Sequence, residues 1–418
     1  MTKYTCTILL LLGFFTLSAQ TIDYRAYIDS VMARNIDLSI ARLDVEASHA
    51  DLEAAKTIQD PSLSIEYGNN SDWLIAMGQS VSLGLSKSIS LGKVSARKKV
   101  ARHSLESSEA SLQDYMRNLW ADATIAYIDA VMARDMAEIQ EQSWRNMREL
   151  SQADSLRNAR GDLSELDVMQ SRIEASMTAQ EWRQQLSEYH NSVVKALSLA
   201  TTQRDMSQPL AVGGKLYVPQ LTLSLQQLID TALCCRADLV ALAAETDAAR
   251  AELSLTRRER VPDMELSVGV SRNSRVLNEE APAPEYTGYT VGLGIPLPVS
   301  NINRGSVKAA NVKLRQSALQ EDALKNQICT EVTCAYNDYM TALRRANSFN
   351  VSLMAEAKQV LDGRLYAYNR GESSLLEVIT AQHTYNEVQQ AYIECLHQCL
   401  TAYVELQRSS LITYDIKL

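Results

Sequence analysis

Two spacings of apolar positions alternate along this chain, one typical of long helices and one typical of strands. One long run of helical spacing lies between Gly305 and Gly363, where no other Gly or Pro occurs. Its apolar positions are Val332, Ala335, Tyr339, Ala342, Ala346, Phe349, Leu353, Ala357 and Val360. Their mean spacing is 3.5 residues, the period of helices that supercoil against neighbours. The pattern therefore predicts one long coiled-coil helix.

A turn at Arg370-Gly371-Glu372 is predicted to reverse this helix. Beyond the turn, Ser374 and Glu377 stand three residues apart, which is the capping-box spacing that opens a helix. Neither Gly nor Pro follows Gly371. The returning helix is therefore predicted to be long as well.

A second helical hairpin is predicted in the first half of the chain. Lys93 to Arg160 holds 68 residues without Gly or Pro, enough for a helix of about 100 Å at about 1.5 Å per residue. A turn is predicted at Gly161, with Asp162 and Glu165 as the capping pair of the next helix. That helix is predicted to reach about Leu199.

Apolar and small or polar residues alternate in four short segments, as expected of strands with one apolar face. They are Ser62 to Tyr67, Val81 to Leu85, Met264 to Ser271 and Tyr289 to Ile295. Two of these strands precede each long helical hairpin.

The second half of the sequence repeats the plan of the first. Ile28-Asp29 corresponds to Ile229-Asp230 at an offset of 201, and Gly161 corresponds to Gly371 at an offset of 210. Each half is predicted to contain a short helix, a strand, a loop, a strand, a long helix, a turn and a helix. The predicted organisation is a signal peptide at 1–19, a first repeat at 20–208, a linker at 209–219 and a second repeat at 220–418.

The first residues indicate export. Lys3 precedes an apolar core from Ile8 to Leu17, and Ser18-Ala19 provides a small-residue cleavage site. No later segment supplies the roughly 18 apolar residues that a membrane-spanning helix needs. If the chain crosses a bilayer, it must do so with strands.

Composition argues against several functional classes. The formal charge of −9 and the absence of a basic stripe argue against nucleic-acid binding. No nucleotide-binding loop, nucleophile elbow or His and carboxylate cluster is found, so neither an enzyme nor a cofactor is predicted. Six cysteines follow the signal peptide, in pairs on predicted helices. They permit disulfides, but their spacing favours small buried residues and argues against metal ligation.

Four strands with one apolar face form a sheet that cannot close by itself in lipid, where every backbone polar group must be paired. Three copies would supply twelve strands, within the size range of outer-membrane barrels. The residues predicted to face lipid are Leu83, Leu85, Val291, Leu293 and Ile295. Those predicted to face the lumen are Ser82, Gly84, Gly292 and Gly294. The alternative is a small water-soluble antiparallel sheet, which shows the same alternation.

Several motifs in this order resemble the TolC-like outer membrane efflux protein family. They are the Gly-Ile-Pro-Leu-Pro stretch at 294–298, the run from Arg370 to Val378, and Ala381-Gln382 followed by Tyr385. The resemblance covers essentially the whole mature chain. It implies a mainly α fold with a transmembrane β-barrel part: long antiparallel coiled-coil helices, internal duplication and a homotrimeric, twelve-stranded barrel above a helical periplasmic tunnel. It also implies partners, namely a periplasmic adaptor protein, an inner-membrane pump and outer membrane lipid.

The resemblance places the periplasmic mouth of the channel at the two helical turns. The second pair of helices would constrict the mouth through hydrogen bonds and salt bridges that adaptor binding breaks. The implied gate residues are Tyr366, Tyr368, Arg370, Glu372, Asp154, Arg157, Arg160 and Asp162, with Arg370 as the main donor. The predicted adaptor-docking residues are Gly161, Gly371 and Ser374. The alternative is that these side chains are ordinary solvated helix caps.

The predicted function is therefore passive conduction of substrates from an inner-membrane pump and adaptor to the exterior, through the bacterial outer membrane and periplasm. Two alternatives remain open from the sequence. One is a type I secretion duct for polypeptides, which would share the fold. The other is a non-conducting coiled-coil scaffold in the periplasm.

Overall fold

A computed structural model describes residues 21–69, 78–200, 211–277, 279–280, 282–297, 303–349 and 351–411. The predicted signal peptide and part of the predicted linker lie outside these residues. The helices are α1 Tyr24–Arg34, α2 Ile36–Ala54, α3 Lys93–Ala159, α4 Glu165–Ala200, α5 Leu225–Cys235, α6 Ala237–Arg258, α7 Arg304–Ser348, α8 Val351–Asn369 and α9 Leu375–Ser410. The strands are β1 Thr21–Ile22, β2 Ser62–Asn69, β3 Gln79–Ile89, β4 Ala211–Val212, β5 Met264–Asn273 and β6 Tyr286–Gly294.

The long helices follow the distribution of Gly and Pro closely, with one exception. Helix α3 contains 67 residues and ends one residue before the predicted limit, so that prediction is confirmed. The single helix predicted between Gly305 and Gly363 is wrong in one respect, since the structure divides it into α7 and α8. Near the end of α7, the Ser348 hydroxyl donates to the Arg345 carbonyl at 2.9 Å. The same kind of bond occurs inside a continuous helix, from Ser171 to the Val168 carbonyl in α4, so it does not explain why α7 ends here.

The described residues form two compact units, and each unit draws on both halves of the sequence. The second unit comprises Asp37–Arg117 and Ser224–Thr333. It contains an antiparallel four-stranded sheet with the strand order β2-β3-β5-β6. The four strands predicted from alternation are therefore all present, and the two halves of the chain pair at β3 and β5.

The first unit comprises the described residues of Met1–Ile36, Asn118–Leu223 and Cys334–Leu418. It contains two helical hairpins, one formed by α4 with the part of α3 from Asn118 onward and the other by α8 with α9. In the first hairpin the rings of Trp144 and Trp182 stack at 4.7 Å with an interplanar angle of 5°. At the other end of this unit, β1 and β4 form a short parallel pair, and the Tyr127 hydroxyl donates to the Ile22 carbonyl at 2.8 Å.

Buried amide side chains fix the register of α9 against α3. Asn386 donates to the Ser143 hydroxyl at 2.8 Å, and Gln382 donates to Asn386 Oδ1 at 2.9 Å. Asn146 then donates to Gln382 Oε1 at 3.2 Å. Ser143, Gln382 and Asn386 are all buried, so a shift of one helix along the other would leave polar groups without partners.

The cysteines differ from the expectation of small buried residues. All six described cysteines are free thiols, and only Cys399 is buried. The expectation is wrong for Cys234, Cys235 and Cys334, which are exposed. The in-helix spacing that argued against disulfides does not by itself determine which way a thiol points.

Candidate functional site

The two helical turns of the first unit have the same backbone geometry. In the turn between α3 and α4, the Gly161 amide donates to the Asn158 carbonyl at 2.8 Å and the Asp162 amide donates to the Arg157 carbonyl at 3.0 Å. Gly161 has a φ of 82°, in the left-handed region that glycine adopts without strain. These bonds are the Schellman pattern, which satisfies carbonyls at a helix end.

The turn between α8 and α9 repeats this arrangement. The Gly371 amide donates to the Tyr368 carbonyl at 3.0 Å, the Glu372 amide donates to the Ala367 carbonyl at 2.9 Å, and Gly371 has a φ of 77°. Both glycines are exposed, and a Cβ at either position would meet no heavy atom within 4 Å. The predicted turns are therefore confirmed, and both leave open space beside the backbone.

The helices after the turns begin at equivalent serines. Ser374 accepts a hydrogen bond from the Glu377 amide at 3.4 Å, as predicted, although Glu377 directs its own carboxylate to Ser373 and Arg364. The prediction of Asp162 and Glu165 as the first capping pair is wrong. Ser164 accepts from the Asp167 amide at 3.2 Å instead, because α4 begins at Glu165 and the residue before it becomes the cap.

A buried pair of gate candidates connects the two hairpins. The Tyr368 hydroxyl of α8 donates to Asp154 Oδ1 of α3 at 2.9 Å. Asp154 is fully buried, and its second oxygen, Oδ2, has no hydrogen-bond partner among the described residues. The nearby Ser171 hydroxyl donates to the Val168 carbonyl at 3.2 Å. Burial raises the pKa of the Asp154 carboxyl, and the bond from Tyr368 opposes that rise.

Apolar packing holds the Tyr368 ring in place beside this pair. Tyr368 belongs to a buried cluster that consists of Met147, Leu150, Tyr368, Leu375, Val378 and Ile379. The guanidinium of Arg157 lies 5.2 Å from the centre of the Tyr368 ring, and one of its nitrogens donates to the Tyr368 carbonyl at 3.4 Å. Burial, followed by the Asp154 carboxylate, raises the pKa of the Tyr368 hydroxyl. Tyr368 therefore stays neutral and available as a donor.

The other gate candidates lie on the surface. Arg370 places its guanidinium 4.5 Å from the centre of the Tyr366 ring, next to the turn. Arg160, Asp162 and Glu372 are exposed at the turns. The structure thus brings Asp154, Arg157 and Tyr368 together in one contact, and the others surround the turns without joining it. The gate role of all of them stays a prediction.

The sheet of the second unit has one apolar face, and its register is continuous across all four strands. One row across this face contains Leu63, Leu85, Val268 and Val291, and the next contains Ile65, Leu83, Val270 and Tyr289. All eight side chains are exposed. Leu293 belongs to the same face, whereas Ile295 lies just beyond the end of β6. Such a face in a single chain requires a cover of lipid or protein.

The opposite face of the sheet is polar and flat. Its glycines lie beside hydroxyl groups of the neighbouring strands, at the positions that a Cβ would occupy. The distances from such a Cβ are 2.7 Å for Gly84 to Ser64 Oγ, 2.7 Å for Gly269 to Thr290 Oγ1, 2.9 Å for Gly288 to Ser271 Oγ and 2.6 Å for Gly292 to Ser267 Oγ. The hydroxyls therefore lie along the sheet, and few side chains project from this face.

The described part of the chain offers neither a metal-binding cluster nor a membrane-spanning helix. No group of three or more His, Cys, Asp or Glu side chains has an arrangement that could hold a metal ion. Among the same residues, every helix is too short or too polar to cross a membrane.

Two features of the site were missed from the sequence. One is the equivalence of the segments 160–164 and 370–374, which both read Arg, Gly, an acidic residue, any residue and Ser. Aligning the halves at the offset of 210 would have found it. The other is the contact of Asp154 with Tyr368, which are 214 residues apart and have no common motif.

Sequence comparison finds one matching protein family and related proteins that cover most of the chain. Residues 27–205 and 228–410 match the family model of the outer membrane efflux protein. The cobalt-zinc-cadmium resistance protein CzcC of Cupriavidus metallidurans is 22% identical over 397 residues, which cover 94% of this chain and 90% of that protein.

The fold is shared with solved structures. CusC has a TM-score of 0.73 at 18% identity, with 92% of this chain and 91% of that chain covered. The CmeC outer membrane channel of Campylobacter jejuni has a TM-score of 0.76 at 14% identity, with 92% and 84% covered. Because the family model matches well over half of the sequence, in two segments that contain both helical turns, this chain belongs to the outer membrane efflux protein family.

Proposed function

We propose that three copies of this chain form a passive duct that carries solutes from an inner-membrane pump and a periplasmic adaptor through the outer membrane. In this assembly the twelve strands form one barrel in the membrane and the helices form a tunnel in the periplasm. Nothing is catalysed, and the pump supplies the energy for transport.

The two-faced sheet is the observation that carries this proposal. Apolar residues extend from Ile89 to Val81 along β3, interrupted on that face by Lys87. At about 3.3 Å per residue and a strand tilt of about 40°, this band is about 20 Å high, close to the apolar band of outer-membrane barrels. A water-soluble sheet would need another layer over this face, and in the second unit the eight side chains of its two central rows are exposed.

The sheet also has two edges, β2 and β6, that need partners. In lipid an unpaired edge costs several kcal/mol for each polar group, so the sheet has to be closed. Pairing β6 of one copy with β2 of the next satisfies both edges. Three copies then give a closed barrel, and the flat polar face becomes the lining of its lumen.

The contact between Asp154 and Tyr368 is proposed to hold the periplasmic end of the duct closed. It connects α3 to α8 at the point where the second hairpin turns. A donor and a buried carboxylate form a stronger hydrogen bond than two neutral groups. Separation of the hairpins would break this bond once in each of the three copies.

Adaptor docking is proposed at the two turns, around Gly161, Gly371 and Ser374. The open space beside both glycines allows a helical hairpin of the adaptor to approach the backbone closely. Leu166 and Leu376 are equivalent residues at the second position of α4 and α9, and their exposed fractions are 77% and 63%. They provide apolar contact area beside each glycine.

A pair of neighbouring substitutions on β3 tests the barrel. Leu85→Arg places a charge on the face proposed to contact lipid, at a cost of about 2–4 kcal/mol per copy. Ser86→Arg places the same charge on the opposite face. We expect Leu85→Arg to abolish heat-modifiable trimers in the outer-membrane fraction and Ser86→Arg to retain them.

The outer-membrane fraction also distinguishes a duct from a periplasmic scaffold. A scaffold would be extracted by carbonate, and it would respond equally to both substitutions. Conductance of the purified trimer in planar bilayers then distinguishes a duct from a closed assembly.

A further inference from the structure

Charged residues are separated by sign between the two faces of the sheet. On the polar face, strands β2, β3, β5 and β6 carry Glu66 and Glu265. On the apolar face they carry Lys87 and Arg272. The assignment follows from the register, in which Glu66 pairs with Ser82 and Glu265 pairs with Gly294, whereas Lys87 pairs with Leu266.

The two carboxylates occupy different heights on the polar face. Glu265 lies in the row nearest the helical end of β5, and Glu66 lies in the row of Ser271, six residues further along β5. At about 3.3 Å per residue the two rows are about 20 Å apart. Both side chains are exposed. Gly294 leaves room for Glu265, whose Oε2 is 3.9 Å from the position of a Cβ at Gly294.

No base on this face balances the two carboxylates. The remaining polar-face residues of the four strands are Ser, Thr, Gly, Asn and Tyr286. Four of their hydroxyls, those of Ser64, Ser267, Ser271 and Thr290, lie beside glycines of the neighbouring strands. Arg272 is on the other face and pairs with Glu285, and Arg275 follows β5 beyond its paired residues.

We propose that Glu66 and Glu265 make the outer-membrane part of the duct favour cationic solutes over anionic ones. The proposal rests on the proposed function, which places the polar face in the lumen. Threefold repetition then produces two rings of three carboxylates. Exposed carboxylates at this separation do not coordinate one ion, and they act through the electric field in the lumen.

The substitution Ser267→Cys places a thiol one row from Glu265, and the rates at which charged reagents modify this thiol report the electric field. The trimer is reconstituted in lipid vesicles and treated with a cationic or an anionic methanethiosulfonate reagent of similar size. Mass spectrometry of the peptide that contains Ser267→Cys gives its rate of modification separately from the native thiols. The ratio of the cationic to the anionic rate is compared with that of the Glu66→Gln/Glu265→Gln variant.

We expect the ratio to fall about fivefold in the double variant at about 0.1 M salt, for carboxylates on the order of 10 Å from the reporter. At about 0.01 M salt the effect should be larger, because screening is weaker. Glu46→Gln removes an exposed carboxylate from α2 and serves as the matched control. It should leave the ratio unchanged.

The experiment distinguishes failure of the proposed charge effect from failure of the proposed duct. If Ser267→Cys reacts and the ratio is the same in the double variant, the role of Glu66 and Glu265 is overturned and the duct stands. If Ser267→Cys is unreactive toward both reagents while Val268→Cys reacts, the polar face does not line a lumen. The proposed function then fails, and this inference fails with it.

Discussion

Replacement of Tyr368 by Phe tests the proposed closed state most directly. The substitution keeps the ring in its apolar cluster and removes only the hydroxyl that donates to Asp154 at 2.9 Å. A hydrogen bond to a charged group contributes about 1.5–3 kcal/mol. If the bond exists only when the hairpins are together, three copies lose about 5–9 kcal/mol of closed-state stability. We therefore expect a large increase in the fraction of open channels.

Conductance of single trimers in planar bilayers measures this effect. Tyr385→Phe is the matched control, because the Tyr385 hydroxyl accepts a hydrogen bond from Gln389 of the same helix, α9, at 3.1 Å. Amide hydrogen exchange around Tyr368 reports independently whether the turn has loosened. Faster exchange without a change of conductance would show that the bond stabilises the turn but does not close the duct, which would refute the proposal.

The same carboxylate gives the turn a defined pH dependence. Burial raises the pKa of Asp154, so the folded turn binds its proton more tightly than the unfolded chain does. Between the ordinary pKa of an aspartate, about 3.9, and the raised value, stability falls as the pH rises. Exchange-derived opening free energies should therefore decrease from about pH 4 upward. Asp154→Asn should flatten that slope, and an unchanged slope would contradict the assignment.

Three further substitutions test other parts of the duct. Arg370→Ala should raise conductance if its guanidinium helps to close the mouth, and a conductance no higher than that of the unmodified channel would count against this role. Gly371→Trp should block export but leave trimers intact, whereas Gly363→Trp, at a helical glycine that also faces open space, should leave export unchanged. Gly292→Val should lower the yield of trimers, because its Cβ would lie 2.6 Å from Ser267 Oγ, and adding Ser267→Ala should restore the yield.

Much of the fold follows from local sequence. A helix continues until a residue breaks it, so the distribution of Gly and Pro predicted α3 to within one residue. Alternation predicted the faces of the strands, because side chains point to opposite sides in turn. The break between α7 and α8 was missed since no Gly or Pro marks it. The Ser348 hydroxyl bonds to a helix carbonyl near this break, but the same bond from Ser171 occurs inside α4, so it could not have predicted the break.

The sequence alone could not predict which parts of the two repeats would differ in function. Asn158 and Tyr368 are equivalent at the offset of 210, and both turns have the same backbone bonds. Asn158 uses its side chain within its own turn, donating to the Leu163 carbonyl at 2.8 Å. Tyr368 instead reaches α3 and bonds to Asp154. The Asn158 side chain therefore stabilises its own turn, whereas the Tyr368 side chain bonds to a neighbouring helix. From this difference we predict that α8 and α9 form the hairpin whose position an adaptor changes.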